Sequence, residues 1–104
     1  MFIDYTQCKS SAEMIQVLEA VAHEIGTNPG PFITLNDFTG NAASREYMKR
    51  ASELAKIFDP KTKKSAVLGI HGITKLLLQA YNHLVKNKQV PFETKEEAMN
   101  YLVE

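Results

Sequence analysis

The chain has 104 residues, 44% of them hydrophobic, enough for one small domain around a modest core and too few for a second. Twelve basic residues balance twelve acidic ones, so no global field favours nucleic acid, an anionic membrane surface or a strongly acidic substrate. A lone cysteine, Cys8, excludes an internal disulfide, and no apolar run approaches the roughly 20 residues of a membrane span. With no basic and apolar leader at its start, the chain reads as cytoplasmic, without membrane insertion.

Four short β-prone runs alternate with segments of helical period. The first run, Phe2 to Thr6, precedes a helix whose apolar face is Met14, Ile15, Leu18, Val21, Ala22 and Ile25. Ser10 and Glu13 make a capping box at its start, and Gly26 and Pro29 end it. The second run, Phe32 to Asn36, leads through Asp37, Phe38, Thr39 and Gly40 into a helix carrying Tyr47, Met48, Ala51, Leu54, Ala55 and Phe58 on one side. The third, Ser65 to Ile70, ends at "GIHG" and precedes a helix expected to bury Ile73, Leu76, Leu77, Ala80, Tyr81, Leu84 and Val85. The fourth, Gln89 to Phe92, contains Pro91, which cannot donate to a ladder from a central strand and so predicts an edge. Thr94 and Glu97 then cap a short helix burying Ala98, Tyr101 and Leu102. Strand followed by helix, four times over, predicts a single α/β domain over 1–104, with parallel strands joined by right-handed crossovers.

One pattern recurs within the chain. Asp4-Tyr5-Thr6 returns about one βαβ length later as Asp37-Phe38-Thr39. Ser11, Glu13 and Met14 follow the first triplet; Ser44, Glu46 and, one residue out of register, Met48 follow the second. The triplet therefore reads as part of how a strand exits. Gly40 has no such counterpart, since Gln7 stands in its place.

In an open parallel sheet, the carboxyl ends of the strands and the helix N-termini after them form the usual crevice for ligands. That edge is expected to gather Thr6, Gln7 and Cys8 from the first turn, Asp37, Thr39 and Ser44 from the second and Gly69, His71 and Gly72 from the third; Asp37, Thr39, Gly40, Ser44, His71 and Gly72 are the six candidates for contact with a partner or ligand. An anion there would meet free backbone N–H groups and a helix dipole, with Lys75 one turn in. Thr39 and Ser44 are candidate phosphoacceptors, weighed against plainer roles as a turn hydroxyl and a helix cap. Cys8, His71 and Asp37 would make a nucleophile, base and orienter only if the thiol pKa were lowered, and nothing local supplies that, so no enzyme is expected. His23, His71 and His83 lack metal-ligand spacing, and "GIHGITK" lacks the Walker and dinucleotide spacings; no metal and no cofactor are expected. Lys61, Lys63, Lys64, Lys86 and Lys88 gather at the other end of the sheet, and without interleaved aromatics they read as solvated loops and not as a nucleic-acid site. The first strand, with Phe2, Ile3 and Tyr5, reads as an uncovered edge, which predicts a homodimer or a protein partner.

At "ITLNDFTGNAASREYM", continued by "KSAVLGIHGITKLLLQAYN" and "VPFETKEEAMNYLVE", the chain resembles small bacterial STAS-like proteins of the anti-sigma factor antagonist superfamily, over nearly its whole length. The resemblance implies strands in the order 1-2-3-4 and a non-catalytic regulatory module whose loop serine is phosphorylated by a partner kinase. The family pattern Asp-Ser-Ser-Gly falls by motif on Asp37-Phe38-Thr39-Gly40, which makes Thr39 the acceptor; by distance from the strand it falls on Ser44. Phe38 departs from the pattern. Lipid-binding relatives imply an alternative, a small-ligand or lipid carrier or sensor binding at the same edge.

Overall fold

The computed structural model describes residues 1–41 and 43–104. Strands β1 (Phe2–Asp4), β2 (Phe32–Asp37), β3 (Thr62–Leu68) and β4 (Gln89–Phe92) form one parallel sheet in the order 1-2-3-4. Helices α1 (Ser11–Thr27), α2 (Arg45–Phe58), α3 (Ile73–Asn82) and α4 (Lys95–Leu102) alternate with them. Ser10 starts α1 by accepting from the Glu13 N–H at 3.2 Å, and the Glu13 carboxylate accepts from the Lys9 N–H at 2.6 Å. Thr94 does the same for α4, accepting from the Glu97 N–H at 3.2 Å.

A right-handed crossover that always advances to the next strand puts its helix on the same face each time. Accordingly the larger core joins Ile3, Tyr5, Phe38 and Val67 of the sheet side to Met14, Leu18 and Ala22 of α1, Tyr47 and Met48 of α2, and Leu78 and Tyr81 of α3. Among the described residues the opposite face is left to α4 alone. Its Ala98 and Leu102 cover Leu35, Ala66 and Leu68. Eight residues of helix cannot cover four strands, so Phe2 and Ile33, on β1 and β2, remain 52% and 39% exposed.

The buried face of α3 differs from the expected one. Thr74, Leu78 and Tyr81 are buried, with Val85 just beyond the helix, whereas Ile73, Leu76 and Leu84 stand 52%, 61% and 67% exposed. Positions 74, 78, 81 and 85 are a proper helical face, hidden from a hydrophobic pattern because its first member is a threonine. The Thr74 hydroxyl donates to the Ala43 carbonyl at 3.3 Å, which ties the start of α3 to the loop before α2 and fixes its rotation.

The lysines read as solvated loops are corrected too. Lys61 Nζ donates to the carbonyls of Ile25, Gly26 and Asn28 at 3.1, 2.9 and 2.9 Å, closing the C-terminus of α1. Lys64, inside β3, donates to the Tyr101 and Glu104 carbonyls at the end of α4, and Lys88 to those of Asn82 and Val85 at the end of α3. Each ammonium sits where unpaired carbonyls and the negative end of a helix dipole collect. Three of the five lysines are therefore helix caps.

Candidate functional site

The strand ends are level. Asp4 is the register partner of Asp37, and Asp37 of Leu68, so the βα turns emerge together along one edge. Here the repeated triplet acquires its meaning. The Asp4 carboxylate accepts from the Thr6 N–H at 2.8 Å, and the Asp37 carboxylate accepts from the Thr39 N–H at 2.9 Å, so each aspartate turns its own chain out of the sheet. This ends β1 at Asp4, short of the expected Thr6. The aromatic between them turns inward: the Tyr5 and Phe38 rings stack at 4.6 Å and 3°, and Tyr47 meets both edge-on at 5.4 and 5.5 Å. The Tyr47 hydroxyl donates to that of Tyr5 at 2.9 Å. Ser11 and Ser44 also meet, hydroxyl to hydroxyl at 2.8 Å. Equivalent positions of the two repeats thus lie side by side and bond to one another.

The third strand exit is different because it must pass beneath the second. Gly69, at φ +78, packs so closely that an added Cβ would lie 2.4 Å from the Thr39 nitrogen and 2.8 Å from the Phe38 carbonyl carbon. The Phe38 N–H donates to the Leu68 carbonyl at 2.9 Å, which holds the two exits together. The glycine of "GIHG" is a packing requirement, and the sequence carried no signal for its neighbour.

On this frame stands a tight turn. The Asn41 N–H donates to the Phe38 carbonyl at 2.7 Å, with Gly40 at φ +82 in the third position, where a type II turn needs a residue free to adopt positive φ. Thr39 and Gly40 are the exposed tip. The Asn41 side chain ties the turn to the first βα turn by donating to the Tyr5 and Thr6 carbonyls at 2.8 and 3.1 Å, a contact that sequence reasoning missed. Ser44 is half-buried and caps α2, accepting from the Tyr47 N–H at 3.1 Å. His71 and Gly72 are exposed on the adjacent turn. Among the described residues no hydrogen bond joins His71 to Asp37, Thr39 or Ser44. The six candidate residues therefore share one edge, with Thr39, Gly40 and Ser44 in the loop between β2 and α2 and Asp37 at its start. Removing the cap with Ser44→Ala is expected to cost about 1 kcal/mol, measured by urea denaturation.

Cys8 is half-buried against the larger core. Burial, and after it the Glu13 and Asp4 carboxylates, push its thiol up, the opposite of what an activated nucleophile needs. Behind the turns, Thr34, Asn36 and Ser65 place polar groups in the centre of the sheet. The Thr34 and Ser65 hydroxyls bond at 2.7 Å, and the Asn36 amide reaches Ser65 at 3.4 Å. They line, with Tyr5, Tyr47 and Tyr81, a cavity of about 40 Å³, room for a few water molecules and far below a ligand pocket. A second cavity, beside Phe38 and Ile70, measures about 10 Å³. Among the described residues no group of three or more His, Cys, Asp or Glu side chains is arranged to hold a metal ion. Among the described residues no helix is long and apolar enough to cross a membrane either.

Comparison of the chain with protein-family models, with curated proteins and with solved structures gives no match.

Proposed function

We propose that the chain is a non-enzymatic regulatory module of STAS-like type, which offers the carboxyl edge of its sheet to a protein partner and is switched by phosphorylation at Thr39. The observation that carries this reading is the Thr39–Gly40 tip, exposed and held on a packed frame by bonds to both neighbouring strand exits. The interior behind it is filled, with cavities of about 40 and 10 Å³, which favours a contact surface over a small-molecule or lipid site at this edge. Cys8 beside carboxylates, and His71 without a bonded partner among the described site residues, favour partner contact over catalysis.

Thr39 is the better acceptor of the two candidates. Its side chain stands in solvent, whereas the Ser44 hydroxyl already accepts from Tyr47 and Ser11. A phosphate adds about −1.5 to −2 charge beside the Asp37 carboxylate, and like-charge repulsion would loosen the turn that Asp37 holds. Affinity capture from the native host, with wild-type, Thr39→Ala and Thr39→Glu baits, tests this. The wild-type and Thr39→Ala chains are expected to retain a common partner that Thr39→Glu loses. Mass spectrometry is expected to find phosphate on Thr39 and not on Ser44. Equal capture by all three baits, with Thr39 unmodified, would overturn the switch.

A further inference from the structure

The two edges of the sheet are unlike. β4 carries Pro91, which has no N–H to offer a further strand. β1 has no such block. The Met1 carbonyl accepts from the Leu35 N–H and the Tyr5 N–H donates to the Asp37 carbonyl, both at 2.9 Å. Backbone groups alternate sides along a strand, so Ile3 also faces β2, while the N–H and C=O of Phe2 and Asp4 point away from the sheet. Both residues are exposed.

Beside this edge lies the part of the sheet that α4 leaves bare. Met1, Phe2, Ile33, Leu35, Met99 and Val103 line an apolar groove of about 360 Å³. Lys95 stands at its rim, its ammonium 5.0 Å above the centre of the Phe2 ring.

We propose that this face binds a second copy of the same chain, β1 pairing antiparallel with its counterpart about a two-fold axis through Ile3. In that register Phe2 of each copy lies opposite Asp4 of the other, and the pair exchanges both backbone hydrogen bonds, so all the outward-facing groups of both edges are satisfied. Centring the axis on Phe2 would leave Asp4 unpaired, and centring it on Asp4 would oppose two carboxylates. The side chains agree with the backbone. Phe2 and Asp4 project from the same face, so the Asp4 carboxylate of one copy arrives over Phe2 of the other, beside Lys95. Thr6 bonds only one carboxylate oxygen of Asp4, and these bonds hold its carboxyl below the usual range, leaving a charged oxygen for Lys95. Two such ion pairs flank the axis, and the two apolar grooves become continuous across it. The sheet would then run through eight strands, with Pro91 at either end. This interface does not depend on the partner site at Thr39, since it uses the free edge of β1 and the face opposite α1, α2 and α3.

Sedimentation equilibrium of the full chain from about 1 to 300 µM is the test. A dimer is expected, with Kd raised about tenfold or more by Lys95→Asp, which turns two attractions into two repulsions. The double variant Asp4→Lys with Lys95→Asp restores attraction across the axis and is expected to recover most of that loss. Because Asp4 also holds its own turn, circular dichroism accompanies it, and Phe2→Glu, at an exposed position, serves as an independent variant: it sets a carboxylate opposite Asp4 of the other copy and is expected to be monomeric. A wild-type chain monomeric throughout would overturn the proposal and leave the groove to a different partner. A dimer indifferent to Lys95→Asp and Phe2→Glu would place the contact elsewhere, and a folded double variant as weak as Lys95→Asp would overturn the register. Partner capture by the Thr39 baits reads the other site and is not affected by these outcomes.

Discussion

Gly69→Ala is expected to destabilise the protein by about 3 kcal/mol, from positive-φ strain of about 1 kcal/mol and overpacking of about 2 kcal/mol. The added methyl would sit 2.4, 2.6 and 2.8 Å from the Thr39 nitrogen, the Thr39 Cα and the Phe38 carbonyl carbon. All three are backbone atoms, which cannot swing aside as the end of a side chain can. Relief requires β2 and β3 to part at their ends, against the bond from Phe38 N–H to the Leu68 carbonyl. For a domain of this size the melting temperature should fall by roughly 12–20 °C. Gly40→Ala is the control: φ is +82, much the same, but nothing lies within 4 Å of the added atom. Its cost is expected to be about 1 kcal/mol. Equal losses in the two variants, measured by thermal or urea melts, would show that conformation alone governs both positions and that the close approach is unimportant.

Stability is expected to fall steeply between pH 10 and pH 12. Burial pushes the Tyr5 and Tyr81 hydroxyls up to about 12 from an ordinary value of 10.0, and raises Tyr47 well above that ordinary value too. Tyr5 and Tyr47 share a hydrogen bond, so they titrate as a pair. Below pH 10 all three carry their protons in both states and the stability is fully present. Above it the unfolded chain releases protons that the native state keeps, so unfolding gains free energy as pH rises toward the folded values. Three such groups give a limiting slope of about 4 kcal/mol per pH unit, so the window removes at most about 8 kcal/mol, enough to exhaust only the lower part of a typical range of about 5–15 kcal/mol. Urea denaturation at intervals from neutral pH upward would trace the fall. Tyr81→Phe should flatten the slope by about a third, because Tyr81 lies outside the Tyr5–Tyr47 pair. A stability unchanged up to pH 11.5 would mean that these rings ionise in the native state as readily as in the unfolded chain.

Much of the frame was legible from local chemistry. Ser10 with Glu13, and Thr94 with Glu97, announced helix starts that are where they were expected, because a cap is a contact across three residues. The faces of α1 and α2 were readable since their buried positions are almost all apolar. The face of α3 was not, because Thr74 stands at its head and the exposed Ile73, Leu76 and Leu84 mimic a core stripe. The lysines failed for a related reason: charge is read as solvent-facing, but Lys61 reaches across more than thirty residues to the end of α1. Of the candidate site, the loop residues were legible as turn chemistry. Asn41 and the close approach at Gly69 were not, since what they touch belongs to other turns.

By itself the sequence determined the α/β alternation, the helix starts, Pro91 as an edge marker, and the Asp-aromatic-Thr exits, because each rests on residues within a few positions of one another. Only the tertiary structure decided that the two exits stand level and stack Tyr5 on Phe38, that Gly69 must pass beneath Thr39, and that β1 and β2 keep an apolar face outside α4. Those facts depend on the hand of successive crossovers and on the distance between strand ends, which no local pattern records. Among the described residues, a sheet wound always in one direction covers one face with three helices and leaves the other to a single short one, and that asymmetry is why Phe2 and Ile33 stay exposed.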